Sequence, residues 1–333
     1  MTQDPGAAPP TKLIVIGASA GGLLPLRTIA EALPAGLAAT VLVVMHVSST
    51  ARSLLPDILR RATRVGVAAA TDDMIIELGQ MLVAPPDRHL IVHDGHVRLT
   101  RGPRENGHRP AVDPLFRSAA RFYGAACCGV ILSGARDDGA LGLAEVKRCG
   151  GVTIVQDPDE APYPGMPSSA IAGTAVDFTL GAAAIGPELV RLVNGGTAGL
   201  RRAPAPPPPA LDDEPIGITC PECGGLLSTD AGAAALSFRC HVGHAYSPRS
   251  LMAEHSGLVE RAMWTAVRSL EDRAALLRRM ATHAEDSGRS YSARQFLRQA
   301  DAADEQAGVI REAIAAIDDA SLTLPEGGQE VPE

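Results

Sequence analysis

The sequence has 333 residues, of which 46% are hydrophobic but only 3% aromatic, and its formal net charge is −8. That length suggests two or three domains rather than one. The acidic balance argues against general nucleic-acid binding through a basic surface, and no run is apolar for long enough to insert in a bilayer. The opening "MTQDPGAAPP" lacks the charged and apolar regions of a signal peptide. A cytoplasmic location is therefore expected, with the six cysteines reduced or bound to metal.

Up to about Val193 short apolar runs alternate with helical ones. "KLIVIG", "TVLVVMH", "CGVILSG" and "VTIVQD" read as buried parallel strands, and "LLPLRTIAEAL" and "GALGLAEVKRCG" read as helices between them. "QMLVAPPDRHLIVHDGHVRLT" departs from this pattern, because Asp94-Gly95 between extended runs predicts a β-hairpin. Residues 201–215, "RRAPAPPPPALDDEP", read as a semi-rigid linker. "CPECGG" then opens a small Cys/His segment. From about Arg249, Val259, Met263, Val267, Leu270, Ala274 and Leu277 recur at helical spacing, and a second such run follows a break at Gly288. The expected fold is α/β: a doubly wound, mainly parallel sheet with a β-hairpin insertion, a small zinc-ribbon-like module and a C-terminal helical hairpin. The expected boundaries are 11–198 for the α/β domain, 199–215 for the linker, 216–247 for the Cys/His module, 248–320 for the hairpin and 321–333 for a disordered tail.

Gly17-Ala18-Ser19-Ala20-Gly21 fits G-x-S-x-G between a strand and a helix, which is the context of a nucleophile elbow. The competing reading is a phosphate-binding turn at a helix N-terminus. A dinucleotide site expects an acidic residue at the end of the next strand, yet "ATVLVVMH" ends in His46. An imidazole there can take a serine proton. Asp137 and Asp138, directly after the strand in "VILSGARDDG", each suit the orienting carboxylate or a helix N-cap. The order Ser…His…Asp differs from that of the α/β-hydrolases.

"IGASAGG", "VVMH", "APPDRHL", "NGHRPAVDPLF", "LSGARDDGALG" and "PGMPSSAI" together resemble the catalytic domain of the chemotaxis protein-glutamate methylesterases, the CheB family, over roughly residues 11–195. The resemblance implies Ser19 as nucleophile, His46 as base and Asp138 as acid. It implies oxyanion stabilisation by backbone N–H groups near Ala20 and Ala135. The implied activity is hydrolysis of glutamate γ-methyl esters on a methylated, chemoreceptor-like protein, extending to deamidation of receptor glutamines. No catalytic cofactor is implied. The chain departs from the family pattern at Met45 for Gln, Ala20 for Thr, and Ala135-Arg136 in the loop after Gly134. Arg109 and Asp113 are expected to be structural. The family's N-terminal receiver domain has no room in the residues before the first strand, so regulation is expected to differ. The alternative is a catalytically idle scaffold that binds receptors through the α/β domain and partners through the tail.

Cys220 and Cys223, spaced as a knuckle, with Cys240 and His244 form a candidate structural Zn²⁺ site; His241, adjacent to Cys240, is the poorer ligand. The other reading is a small β core of reduced thiols. Because the esterase uses no metal, chelation is expected to loosen this segment and spare hydrolysis. Cys127, Cys128 and Cys149 read as core. The helical hairpin is suited to docking on a helical partner or to self-association, although its two stripes also bury each other.

Overall fold

The computed structural model describes residues 12–47, 53–195, 215–229 and 236–321. The Pro-rich stretch 201–214 and the tail at 322–333, both read from sequence, lie outside the described residues. The elements run β1 Leu13–Ala18, α1 Leu23–Ala32, β2 Thr40–Met45, α2 Leu55–Ala62, β3 Gly66–Ala69, β4 Met74–Ile75, β5 Gln80–Val83, β6 His89–His93, β7 His96–Thr100, α3 Val112–Tyr123, β8 Cys127–Ile131, α4 Ala140–Arg148, β9 Val152–Gln156, α5 Gly165–Gly173, β10 Phe178–Leu180 and α6 Ala182–Val193. Seven strands form one parallel sheet in the order β10-β9-β8-β1-β2-β5-β3. β1 lies between β2 and β8, where the order of strands reverses direction along the chain.

Side chains of β1 alternate between two cores. Ile14, Ile16 and Ala18 pack with Leu26 and Ile29 of α1, Leu59 of α2, and Ile185 and Leu189 of α6. Leu13 and Val15 face the other way, to Leu115 and Phe116 of α3, Leu143 and Val146 of α4, and Met166 of α5. The sheet is therefore doubly wound, and β1 reads as continuously apolar because both its faces are covered. Each fully buried Leu, Ile or Val here contributes about 1.5–3 kcal/mol, so a core nearly without aromatics is sufficient. The hairpin at Asp94-Gly95 forms as expected, β6 pairing antiparallel with β7, and both central residues have positive φ. Together with β4 it makes a separate three-stranded sheet, whereas Gln80–Val83 at the start of the same stretch joins the main sheet as β5.

A four-stranded antiparallel sheet follows: β11 Pro215–Thr219, β12 Leu226–Thr229, β13 Phe238–Cys240 and β14 Ala245–Tyr246. Two long helices complete the described chain, α7 Pro248–Asp286 and α8 Ser290–Ser321, with Gly288 at φ +72° between them. Within residues 253–333, Leu270, Ala274 and Leu277 pack with Phe296, Ala300 and Ala303, and Val267 packs with Ala307 and Ile314. The two stripes thus bury each other. Trp264, Leu276, Met280 and Val309 remain exposed. Among the described residues, no helix is long and apolar enough to cross a membrane.

Candidate active site and Cys/His centre

Three strand ends meet at the reversal point of the sheet, where ligands of open α/β folds bind. The parallel ladder is prolonged past β1: His46 N donates to Ala18 O at 3.0 Å, and Ser19 N donates to Ser133 O at 2.9 Å. Ser19 is thereby fixed between the ends of β2 and β8. Gly21 adopts φ +72°, which lets the chain turn from Ser19 into α1. His46 Nδ1 lies 3.0 Å from Ser19 Oγ, and Nε2 lies 2.7 Å from Asp138 Oδ2. With Nε2 protonated, the ring donates to the carboxylate and leaves Nδ1 to accept from the serine. Ser19 is half-buried and Ala20 and Ala135 are exposed, so the serine opens toward solvent. The amides of Ala20 and Ala135 have no acceptor among the described residues. The Gly134 loop closes on Ser19, for a Cβ on Gly134 would sit 3.0 Å from Ser19 Cβ and 1.9 Å from Met166 Sδ.

Asp138 accepts four N–H groups. His46 Nε2 and Val112 N (2.6 Å) reach Oδ2; Asn106 Nδ2 (2.9 Å) and Asp113 N (3.3 Å) reach Oδ1. Burial opposes its ionisation, but the hydrogen bond and charge of His46, the charge of His108 and the Val112 amide outweigh it. The carboxyl is held well below its ordinary value. Asp138 does not cap α4, the helix that follows it: the cap position there is Gly139, without a side-chain bond. It caps α3 instead. In return Asp113, in the first turn of α3, accepts Gly142 N from the first turn of α4 at 2.6 Å. Burial first, and then the Asp138 charge, push the Asp113 carboxyl well above its usual value.

Other expectations resolve locally. Asp137 has no contact with His46; both its oxygens are taken by serine hydroxyls. Arg109 binds Asp87 and Gly102 O, tying loops together, and Asp113 is likewise structural. Cys127 and Cys128 lie in the core as expected, while Cys149 is only half-buried, at the end of α4. Met45 is half-buried against the core, and Arg136 is exposed. Two residues beside the site have no role that the sequence alone assigns. Asn106 bridges Asp138 and Asp113, and His108 stacks on His46 with ring centroids 3.7 Å apart and planes 16° from parallel. Both stand in the quoted "NGHRPAVDPLF", but nothing in that string says which side chains face an imidazole 60 residues away. A cleft of about 560 Å³ between the β6–β7 hairpin and α3 contains none of Ser19, His46 and Asp138.

In the four-stranded sheet, Cys220, Cys223, Cys240 and His244 converge, their ligand atoms all within 4.8 Å of one another. Cys223 Sγ lies 3.7 Å from Cys240 Sγ, and His244 Nδ1 lies 3.6 Å from Cys220 Sγ and 3.5 Å from Cys240 Sγ. A tetrahedral Zn²⁺ with bonds of about 2.3 Å to sulfur has ligand–ligand edges of about 3.8 Å, so the spacing suits it. Burial opposes ionisation of Cys240, but hydrogen bonding from His244 and Cys223 lowers its thiol to about 6, toward the thiolate a metal needs. His241 stays outside the cluster.

The model of the CheB methylesterase family matches residues 14–189. A protein from Anaeromyxobacter dehalogenans named protein-glutamate methylesterase/protein-glutamine glutaminase 5 is 42% identical over 185 residues, which are 54% of this chain and 51% of that relative. The chain therefore spans about half the length of that relative. A Leptospira interrogans relative is 37% identical over 180 residues, covering 54% of this chain and 93% of the relative. The crystal structure of the Thermotoga maritima CheB methylesterase catalytic domain superposes with a TM-score of 0.53 at 34% identity, over 55% of this chain and 99% of that one. Motif order, the strand-end geometry and a family match over more than half of the sequence agree: the chain belongs to the CheB methylesterase family.

Proposed function

We infer that this protein is a serine esterase that hydrolyses glutamate γ-methyl esters on a methylated chemoreceptor-like protein, with Ser19 as nucleophile, His46 as base and Asp138 as the acid that orients it. The carrying observation is the unbroken Ser19–His46–Asp138 chain at 3.0 and 2.7 Å on a solvent-open turn. His46 Nδ1 takes the Ser19 proton as Oγ attacks the ester carbonyl. The Ala20 and Ala135 amides stabilise the oxyanion. His46 returns the proton to the methoxide, methanol leaves, and an acyl-serine remains. Water, deprotonated by His46, then releases the glutamate and restores Ser19. A glutamine side chain follows the same path with ammonia as leaving group. These steps use protein groups alone. No observation favours the idle-scaffold reading, which has no need of the assembled chain of hydrogen bonds.

The Cys/His set is read as a structural Zn²⁺ site, held by Cys220, Cys223, Cys240 and His244, where the metal would supply folding free energy to a small sheet. Reduced cysteines and the receptor substrate both suit a cytoplasmic location. The exposed apolar residues of α7 and α8 suit recruitment of a helical receptor, or pairing with a second copy. The test of the main reading is Ser19→Ala. Methanol release from a methylated receptor should vanish while the unfolding midpoint stays within about 2 °C of wild type, since the change removes one hydroxyl from a half-buried side chain on an open turn. Near-normal turnover in the folded variant would refute the mechanism.

A further inference from the structure

The Cys/His module and the first turn of α7 reach the serine end of the sheet through hydrogen bonds that converge on two buried residues beside Asp138. The first is Asn106. Its backbone N–H donates to Ala245 O at 2.8 Å, and its Oδ1 accepts from Ser247 N at 2.9 Å. Its Nδ2 donates to Asp138 Oδ1 and Asp113 Oδ2, both at 2.9 Å. The side chain thus has its acceptor on the module and its donors on the two acids, and none is left over. The second residue is Asp137. Its carboxylate accepts from Ser247 Oγ at 2.5 Å and Ser250 Oγ at 2.6 Å, and Ser250 N donates to Ser247 Oγ at 3.1 Å. A carboxylate buried this deeply is costly without such donors. These contacts therefore hold or fail together.

Asn106 lies in the 105–108 turn, closed by reciprocal bonds between Glu105 and His108. The same turn presents His108 to the face of His46. One short loop thus touches both the proposed acid and the proposed base. The module pins that loop through the Glu105–Ala245 bridge and through Ala245 N to Arg104 O. Ala245 directly follows His244, a residue of the Cys/His cluster, and Ser247 comes two residues later. Among the described residues the module's core is small: Cys220, Leu227, Cys240, Tyr246 and Leu251 are buried, with Ile216 and Phe238 partly buried against them. Two of the five buried residues are cysteines of the cluster, so a metal bound there would contribute much of the module's order.

Resting on the esterase reading above, we propose that the Cys/His module is a clamp that holds the Asp138–His46 pair in register, with Asn106 as the positioning residue, and that metal occupancy thereby sets the rate of ester hydrolysis. This reverses the expectation from sequence that chelation spares the esterase.

The test uses the full chain loaded with Zn²⁺, the same protein stripped by a chelator, and the stripped protein after Zn²⁺ is returned. The readouts are kcat and KM on a small ester, the pH profile of kcat/KM, and the NMR signal of the proton between His46 Nε2 and Asp138. Stripping should lower kcat roughly 10- to 100-fold, the cost of misplacing a catalytic group by about an ångström, with KM little changed. The proton signal should broaden, and Zn²⁺ should restore both. Cys223→Ser, at the exposed member of the cluster, should reproduce the loss. Ser247→Ala combined with Ser250→Ala should lower kcat with zinc still bound. Stripping that leaves kcat, the pH profile and the proton signal unchanged would overturn the proposal; so would a chain that takes up no Zn²⁺, or a double serine variant at the wild-type rate. Failure of the esterase reading looks different: the zinc-loaded wild type would release no product, while the proton signal would still answer to the metal.

Discussion

Replacing Asp138 by Asn changes one atom and sets four donors against each other. The carboxylate accepts His46 Nε2 and Val112 N on one oxygen, and Asn106 Nδ2 and Asp113 N on the other. An amide has one oxygen and one NH2 group, so two donors must face a donor. If the NH2 turns to His46, the imidazole must carry its proton on Nδ1, where it can no longer accept from Ser19. In that arrangement kcat should fall about 10⁴-fold, or about 5.5 kcal/mol of barrier. If the NH2 turns to Asn106 and Asp113, the tautomer survives but the anion that steadies the imidazolium is gone. A charge-assisted bond becomes a neutral one, costing about 1.5–3 kcal/mol, or roughly 10- to 100-fold. In the first arrangement Val112 N loses its acceptor, and in the second Asn106 Nδ2 and Asp113 N lose theirs, at about 1–3 kcal/mol of stability each. The assay pairs methanol release with a urea unfolding curve. The expected result is a fall in kcat of at least about tenfold together with a clear loss of midpoint. A folded Asp138→Asn variant with wild-type kcat would refute the assignment of Asp138 as the orienting acid.

Three further outcomes are expected. The Asp138 carboxyl is held below its unfolded value of 3.8, so its stabilising effect is complete above that pH and is lost as pH falls through the lower folded value. The stability gap between wild type and Asp138→Asn should therefore be widest above about pH 5 and narrow on acidification in denaturant titrations. Gly134→Ala places a Cβ 1.9 Å from Met166 Sδ and 3.0 Å from Ser19 Cβ, whereas a Cβ on Gly36 meets nothing within 4 Å. The first should lose about 1–3 kcal/mol in unfolding measurements and much of its esterase rate, and the second should lose little of either. If the helical pair recruits receptor, a chain ending at Met252, the limit of the first compact unit, should lose more of its rate on intact receptor than on a small ester. Equal losses on both substrates would leave the tail without a role in recruitment.

Much of this arrangement is written in local sequence. "KLIVIG" and "CGVILSG" read as strands because both faces of each are buried, and Asp94-Gly95 reads as a turn because few residue pairs tolerate positive φ in succession. Ser19 and His46 are legible because each ends a strand, and strand ends meet in a parallel sheet. The illegible features are those fixed by contacts distant in sequence. Gly66–Ala69 and Phe178–Leu180 are too short to show a period, and nothing in "QMLV" says that it inserts between β2 and β3. Asp138 looks like the cap of the helix it precedes, but its partner Val112 lies 26 residues upstream. Ser247 and Ser250 look like an ordinary helix start, and only the fold brings them to Asp137.

The exchange of caps between α3 and α4 bears on how such a domain can age. Ser19 stands on an open turn and its hydroxyl bonds His46 alone among the described residues, so that hydroxyl can disappear at little cost to the fold. Asp138 closes the start of α3 while Asp113 closes the start of α4, and loss of either unseats a helix packed on the central sheet. Once selection for hydrolysis relaxes in a descendant of this protein, the serine is free to drift, but the aspartate remains under selection for folding. On the proposed assignment, a retired copy keeps Asp138 long after Ser19 is gone, so that an intact Asp138 reports on architecture and only Ser19 with His46 on activity.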